Sequence, residues 1–107
     1  MTTFIQIITT TEKRGDAEII ARTLVEQRLA ACVQIAGPVS STYRWKGHVE
    51  QAEEWQCLMK SRRDLFGEVE RAIRAIHPYE TPEIIATVIS AGSGDYLEWL
   101  NDELKAL

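Results

Sequence analysis

The groups with most chemical capacity in this 107-residue chain crowd into "HPYETPEII", residues 77 to 85, where His77, Tyr79, Glu80 and Glu83 follow one another closely. A thiol, Cys32, stands far upstream. A thiolate with an imidazole suits Cu(I) or Zn(II), whereas carboxylates suit harder ions. Cys32, His77, Glu80 and Glu83 are therefore the candidate metal ligands. No CxxC, HxxxH or EF-hand spacing makes a local site, so they must converge from different elements. Each also has an ordinary structural role. Cys32 fits a small buried thiol on a strand, and His77 fits a helix C-terminus, where positive charge complements the macrodipole. Pro78 and Pro82 fix φ and push the preceding residues away from the α region. His77 and Thr81 are thus predicted to be extended, in a stiff connection between two elements.

Other chemistries find less support. "GSGD", residues 92 to 95, lacks the spacing of a dinucleotide fingerprint or a P-loop lysine. It reads as a turn and helix cap. Nothing ties Ser40, Ser41, His48 or His77 into a nucleophile and base arrangement, and no enzymatic activity is expected. The aromatic residues Tyr43, Trp45, Trp55 and Tyr79 fit strand packing. On an arm that outruns its own domain they would instead mark a partner surface.

The elements that must position these groups follow from periodicity. Residues 3 to 10, "TFIQIITT", predict a strand with both faces at least partly covered. Asp16 is the expected N-cap of a helix running to about Arg28, with Ala17, Ile20, Ala21 and Leu24 on its apolar face. "LAACVQIA" predicts a second strand from Leu29, interrupted at Gly37-Pro38 and resumed in "VSSTYRWKG". Gly47 signals a turn, and "VEQAEEWQCLMKS" returns to complete a long hairpin. Asp64 is the expected cap of a second helix bearing Leu65, Val69, Ala72, Ile73 and Ile76. "PEIIATVIS" gives a short fourth strand, and Asp95 with Glu98 predicts a capping box for a last helix with Leu97, Leu100, Leu104 and Leu107 on one side. The order predicts an α+β, ferredoxin-like fold: a β-α-β-β-α-β antiparallel sheet with an extended central β-hairpin and a C-terminal helix.

Length and composition place residues 1 to 107 in a single domain of ordinary globular character, 45% hydrophobic and 26% charged. With 16 acidic against 12 basic residues and basic runs no longer than pairs, such as Arg62-Arg63, no nucleic-acid partner is expected. No apolar run reaches the roughly 18 residues of a membrane span, so no membrane partner is expected either. The N-terminus does not read as a signal peptide. A cytoplasmic address follows as an expectation, and with it free thiols at Cys32 and Cys57.

Three segments in register, "LVEQRLAACVQI", "STYRWKGHVE" and "HPYETPEII", resemble the CutA family of divalent-cation tolerance proteins over nearly the whole chain. The resemblance implies a homotrimer built on the long hairpin, bacterial cytoplasm, and association with copper or another divalent metal. By position it implies Cys32 and His77 as metal ligands, to which Glu83 is added from the residues themselves. Where some members have a cysteine this chain has Thr9, and where some have a second histidine it has Ile76. The same fold suits two other functions. A module similar to the trimeric PII regulators would hold a small ligand between subunits, where Tyr43, Trp45, Lys60, Tyr79 and Glu83 could meet. An acylphosphatase-type enzyme would need an anion cradle around Arg14, which lies between Glu12 and Asp16 with no glycine-rich loop.

Overall fold

The computed structural model describes residues 2–107. Four strands and three α-helices follow one another as β1 (Phe4–Thr11), α1 (Arg14–Glu26), β2 (Cys32–Trp45), β3 (His48–Arg62), a 3₁₀ turn (Arg63–Leu65), α2 (Phe66–Ile76), β4 (Ile85–Val88) and α3 (Gly94–Glu103). The sheet is antiparallel throughout, in the order β2-β3-β1-β4. This is the expected ferredoxin-like arrangement, with β3 and β1 central and β2 and β4 at the edges.

Alternation decides which face is the core. Ile5 and Ile7 of β1 pair with Ser61 and Met59 of β3. All four are buried, as are Ala17, Ile20 and Leu24 of α1 and Val69 and Ile73 of α2. The intervening residues, among them Gln6, Ile8, Leu58 and Lys60, look to the other face and are only half-buried. Cys57 belongs to the core and its burial pushes the thiol up to about 11. Cys32 pairs with Lys60 and so shares the uncovered face. It is a half-exposed free thiol rather than the buried one its strand position suggested.

Thr9 is the one imperfection among the described residues. It is wholly buried opposite Cys57, and its hydroxyl makes no hydrogen bond. An unsatisfied buried hydroxyl costs more than a methyl of the same shape. Thr9→Val is expected to raise stability by about 1 kcal/mol, or roughly 4–8 °C in Tm for a domain of this size. A lower urea midpoint in that variant would mean that the hydroxyl has a partner.

The helix ends differ from expectation in an instructive way. The Thr11 hydroxyl donates to the Lys13 carbonyl at 2.8 Å, and α1 starts at Arg14, two residues before Asp16. At its other end Arg28 adopts a left-handed φ of 58°, and the amides of Leu29 and Ala30 bond back to the Leu24 carbonyl. Those bonds occupy the residues expected to open β2, which therefore begins at Cys32.

The hairpin is continuous through Gly37-Pro38, where an interruption was expected. Ala36 pairs with Gln56 and Val39 with Glu54, so two residues of β2 stand against Trp55 alone, a one-residue bulge. Proline is tolerated because β2 is an edge strand. Gly37 is required: its φ is 146°, and a Cβ would lie 3.0 Å from the Glu54 carbonyl oxygen and 3.1 Å from Trp55. At the tip, Lys46 and Gly47 both take positive φ, 50° and 84°, as a two-residue hairpin turn demands. The hairpin carries the long dimension of the molecule, 44 Å against 25 and 21 Å.

Candidate functional site

The bulge at Gly37-Pro38 builds the site. With unbroken alternation, Tyr43 and Trp45 would share a face with Val33 and Ile35, towards the helices. The extra residue reverses that parity. Tyr43 now pairs with Glu50, Trp45 with His48 and Val39 with Glu54, on the face opposite the core. Thr10, paired with Gln56, looks to the same side.

Above this face runs the connection from α2 to β4. His77 ends α2 in an extended conformation, φ −77° and ψ 133°, as its proline neighbour requires. Its Nε2 lies 2.9 Å from the Thr10 carbonyl oxygen, and the Tyr79 amide donates to its Nδ1 at 3.1 Å. An acceptor at Nδ1 and a donor at Nε2 define the neutral imidazole. Burial lowers the pKa of His77, partly opposed by its bond to Thr10 and by the carboxylates of Asp16 and Glu54. The histidine holds Tyr79 edge-on, with ring centroids 4.7 Å apart. The Tyr79 hydroxyl in turn donates to Glu54 Oε2 at 2.7 Å. Burial, the bond to Glu54 and nearby negative charge push the Tyr79 phenol well above its ordinary value, so it remains a donor.

Between this loop and the hairpin lies a cleft of about 770 Å³, with Glu54 and Tyr79 on its inner side and Tyr43, Trp45, Glu80 and Glu83 among its other walls. Tyr43, Trp45, Tyr79 and Glu83, expected to meet between subunits, line one cleft within a single chain. Lys60 does not line it; its ammonium donates to Gln34 farther along the sheet. Glu54 was missed, because alternation sets it on the face of Gln56 but nothing in the sequence tells that Tyr79 reaches it from the α2–β4 connection.

The four candidate metal ligands do not converge; Glu80 and Glu83 share the cleft wall, where Glu80 lies 3.7 Å from Lys46. Cys32 stands on the rung of Lys60, which pairs with Gln6, while His77 is bonded at Thr10. Four residues of strand separate those rungs, on the order of 13 Å. Glu83 is exposed in the cleft wall, and both ring nitrogens of His77 already have partners. Among the described residues no three His, Cys, Asp or Glu side chains come together as a metal cluster. A resident metal does not fit this chain by itself. Arg14, which an anion cradle would need, lies over the Trp55 ring at 5.0 Å and 3.8 Å from Glu18.

Comparison with known proteins agrees with the fold and names a family. Residues 5–103 match the model of the CutA1 divalent ion tolerance proteins. The divalent-cation tolerance protein CutA of Thermus thermophilus is 40% identical over 96 residues, covering 90% of this chain and 93% of that one. A solved structure from that organism superposes with a TM-score of 0.93 at 37% identity, over 95% of this chain and 99% of the other. The chloroplastic CutA of Arabidopsis thaliana is 35% identical over 101 residues; these are 94% of this chain but 56% of the longer plant protein. A structure from Archaeoglobus fulgidus, described as a periplasmic divalent cation tolerance protein, gives a TM-score of 0.90 at 37% identity, covering 98% of this chain and all of that one.

These relatives correct the expectation of a cytoplasmic address. One is chloroplastic and another periplasmic, so the domain is not tied to one compartment. The expectation rested on the composition of the domain, whereas addresses are carried by targeting segments that the fold does not determine. From the match over residues 5–103 and the likeness of fold and sequence along nearly its full length, this chain belongs to the CutA1 divalent ion tolerance protein family.

Proposed function

We propose that this protein serves in tolerance of divalent metal ions, copper or a similar ion, as one subunit of a homotrimer, and that it catalyses no reaction. The observation that carries the assembly is the uncovered face of the sheet. Both helices of the βαβ units pack on the other side, leaving Ile85 50% exposed, Tyr43 44% and Trp45 36%. The edges β2 and β4 are open at opposite sides. An open edge invites pairing, and head-to-tail pairing of unlike edges closes a ring. The ion is something the protein meets, not a group it keeps. Cys32 and Glu83 are the proposed contacts, since their donors are free while those of His77 are engaged.

Light scattering after size exclusion, followed by copper titration of the same fraction, tests both parts. The expected mass is that of three chains at micromolar concentration. Trp45→Asp is expected to give aggregated or unfolded material, because obligate interfaces are inseparable from folding. Copper binding is expected to be weakened at least about tenfold in Cys32→Ser or Glu83→Gln. A stable wild-type monomer sinks the assembly, and titrations identical in all three proteins sink the ion contacts.

One observation favours a second reading, a regulatory module binding a small molecule. The cleft beside the hairpin joins Tyr43, Trp45, Tyr79 and Glu83 in a volume within the usual range of small-molecule sites.

A further inference from the structure

We infer that the groove between β4 and the start of α2, on the helix side of the sheet, receives α1 of a second copy of this chain, with Val25 of the partner subunit seated against Val88 and Phe66. The inference rests on the homotrimer proposed above. It adds a contact in the helix layer and fixes which helix each subunit turns to its neighbour.

The groove exists because α2 leaves β4 uncovered. Ile5 pairs with Val88 and Ile7 with Ala86, so Val88 and Ala86 belong to the core side of the sheet. Ile5 and Ile7 are buried on that side, yet Val88 is 58% exposed and Ala86 is exposed as well. With Phe66, Gly67 and Arg63 they line a space of about 520 Å³. Apolar side chains left open on the helix side of an edge strand mark a partner surface.

Strand direction selects the occupant. β2 is antiparallel to β3, β3 to β1 and β1 to β4, so β2 and β4 run in opposite directions. A ring whose axis lies along the strands keeps their direction from copy to copy, and β2 of one subunit beside β4 of the next then continues an antiparallel sheet. The helices of both copies stand on the same side of that sheet. Because α1 packs over β2 and β3, it is the helix that this pairing brings above the groove.

α1 presents a flank that fits. Asp16 acts by its charge on His77 at the end of α2, which marks the flank turned towards α2. Val25 follows nine residues later, about two and a half turns, and so lies on the opposite flank, towards the β2 edge. It is 41% exposed. The heights agree too: α1 ends just before β2, β2 starts on the rung of Lys60, and Arg63 follows Lys60 closely. Among the described residues Arg63 makes no ion pair, while Glu26, next to Val25, is an exposed carboxylate paired with Arg22 of its own helix at 3.1 Å. Glu26 and Arg63 therefore complement each other across the contact.

The test uses the full chain in a Cys32→Ser background, where Cys57 is wholly buried and stays unlabelled. Val25→Cys is combined with Val88→Cys, both at exposed positions that the fold tolerates, and the protein is treated with a short bismaleimide. Linked species of two and three chains are expected on a denaturing gel. Neither single variant should link, nor should Ile19→Cys combined with Val88→Cys, because Ile19 is on the outer side of α1. Glu26→Cys with Arg63→Cys is a second pair should the first lose the mass of three chains, and linking of at least one pair above the Ile19 control is the expected result. Light scattering on the wild type separates the two ways of failing. A mass of three chains with neither pair linked would overturn the groove contact and leave the assembly standing, whereas a wild-type monomer would overturn both. Linking by Val88→Cys alone would set two grooves face to face, and equal linking by the Ile19 pair would be mere collision; either overturns the inference.

Discussion

Replacing Arg62 by alanine is expected to cost the fold about 3 kcal/mol, the range found when one partner is removed from a buried, charged hydrogen-bond network. Arg62 ends β3 opposite Phe4 and is 7% exposed. Its Nε donates to Asp64 Oδ1 at 3.0 Å, one terminal nitrogen to Asn101 Oδ1 at 3.2 Å and the other to the Lys105 carbonyl at 2.8 Å. One side chain thus ties a central strand to the 3₁₀ turn before α2 and to the C-terminal end of α3. Truncation leaves all three acceptors without their donor. Lysine should not rescue the loss, because a single ammonium cannot reproduce the planar fork. Urea denaturation should show a lower midpoint with an unchanged m-value for both Arg62→Ala and Arg62→Lys. A loss below about 1 kcal/mol, the worth of one ordinary hydrogen bond, would mean that α3 is held by other contacts. Such contacts exist in the buried Leu100 and Leu104 and in Arg28, whose guanidinium donates to the Asp102 and Glu103 carbonyls at 2.6 and 2.9 Å.

The same arginine explains one misplaced helix start, and the others follow a common pattern. Asp16, Asp64 and Asp95 were each expected to cap a helix, and none does. Asp64 accepts from Arg62, Asp95 from the adjacent Tyr96 amide, and Asp16 sits inside α1. All three nevertheless lie in a first turn, where a carboxylate meets the positive end of the helix dipole. The composition signal therefore located each helix to within a turn without identifying its cap. Leu107 was expected on the apolar side of α3, but the helix ends at Glu103 and Leu107 is exposed.

Strands were legible because alternation is a local property. Register across Gly37-Pro38 was not, since a bulge depends on which residues of β3 stand opposite. That one residue decides the site. It turns Tyr43 and Trp45 from the helix side to the side of Glu54, and brings into one chain's cleft aromatics whose meeting the sequence places between subunits. Likewise the sequence offers His77 as a ligand because an imidazole beside carboxylates can bind metals. Only the fold reveals that Thr10 and Tyr79 use both of its nitrogens.

That occupation gives His77 a measurable thermodynamic role. In His77→Ala the Tyr79 amide and the Thr10 carbonyl lose their partner, an expected cost of about 2 kcal/mol at pH 7.5 for two largely buried hydrogen bonds. The dependence on pH has a definite sign. Burial holds the folded imidazole below the ordinary value of 6.5, and the attraction of Asp16 and Glu54 only partly restores it. The unfolded chain thus binds the proton more readily. Stability from this residue is complete above about 6.5, declines as pH falls below it, and stops declining once the folded imidazole also protonates. Proton uptake at Nδ1 sets two N–H groups against each other and removes the bond that holds Tyr79. Urea midpoints from pH 8 to pH 5 should therefore fall more steeply for the wild type than for His77→Gln, which keeps polarity but cannot titrate. Parallel profiles would deny His77 this role. A difference accompanied by weaker quenching of Tyr79 fluorescence by Glu54 at low pH would locate the loosened step at the α2–β4 connection. The same residue that the family resemblance offers as a metal ligand would then act through the cleft, by fixing the tyrosine that holds its buried carboxylate.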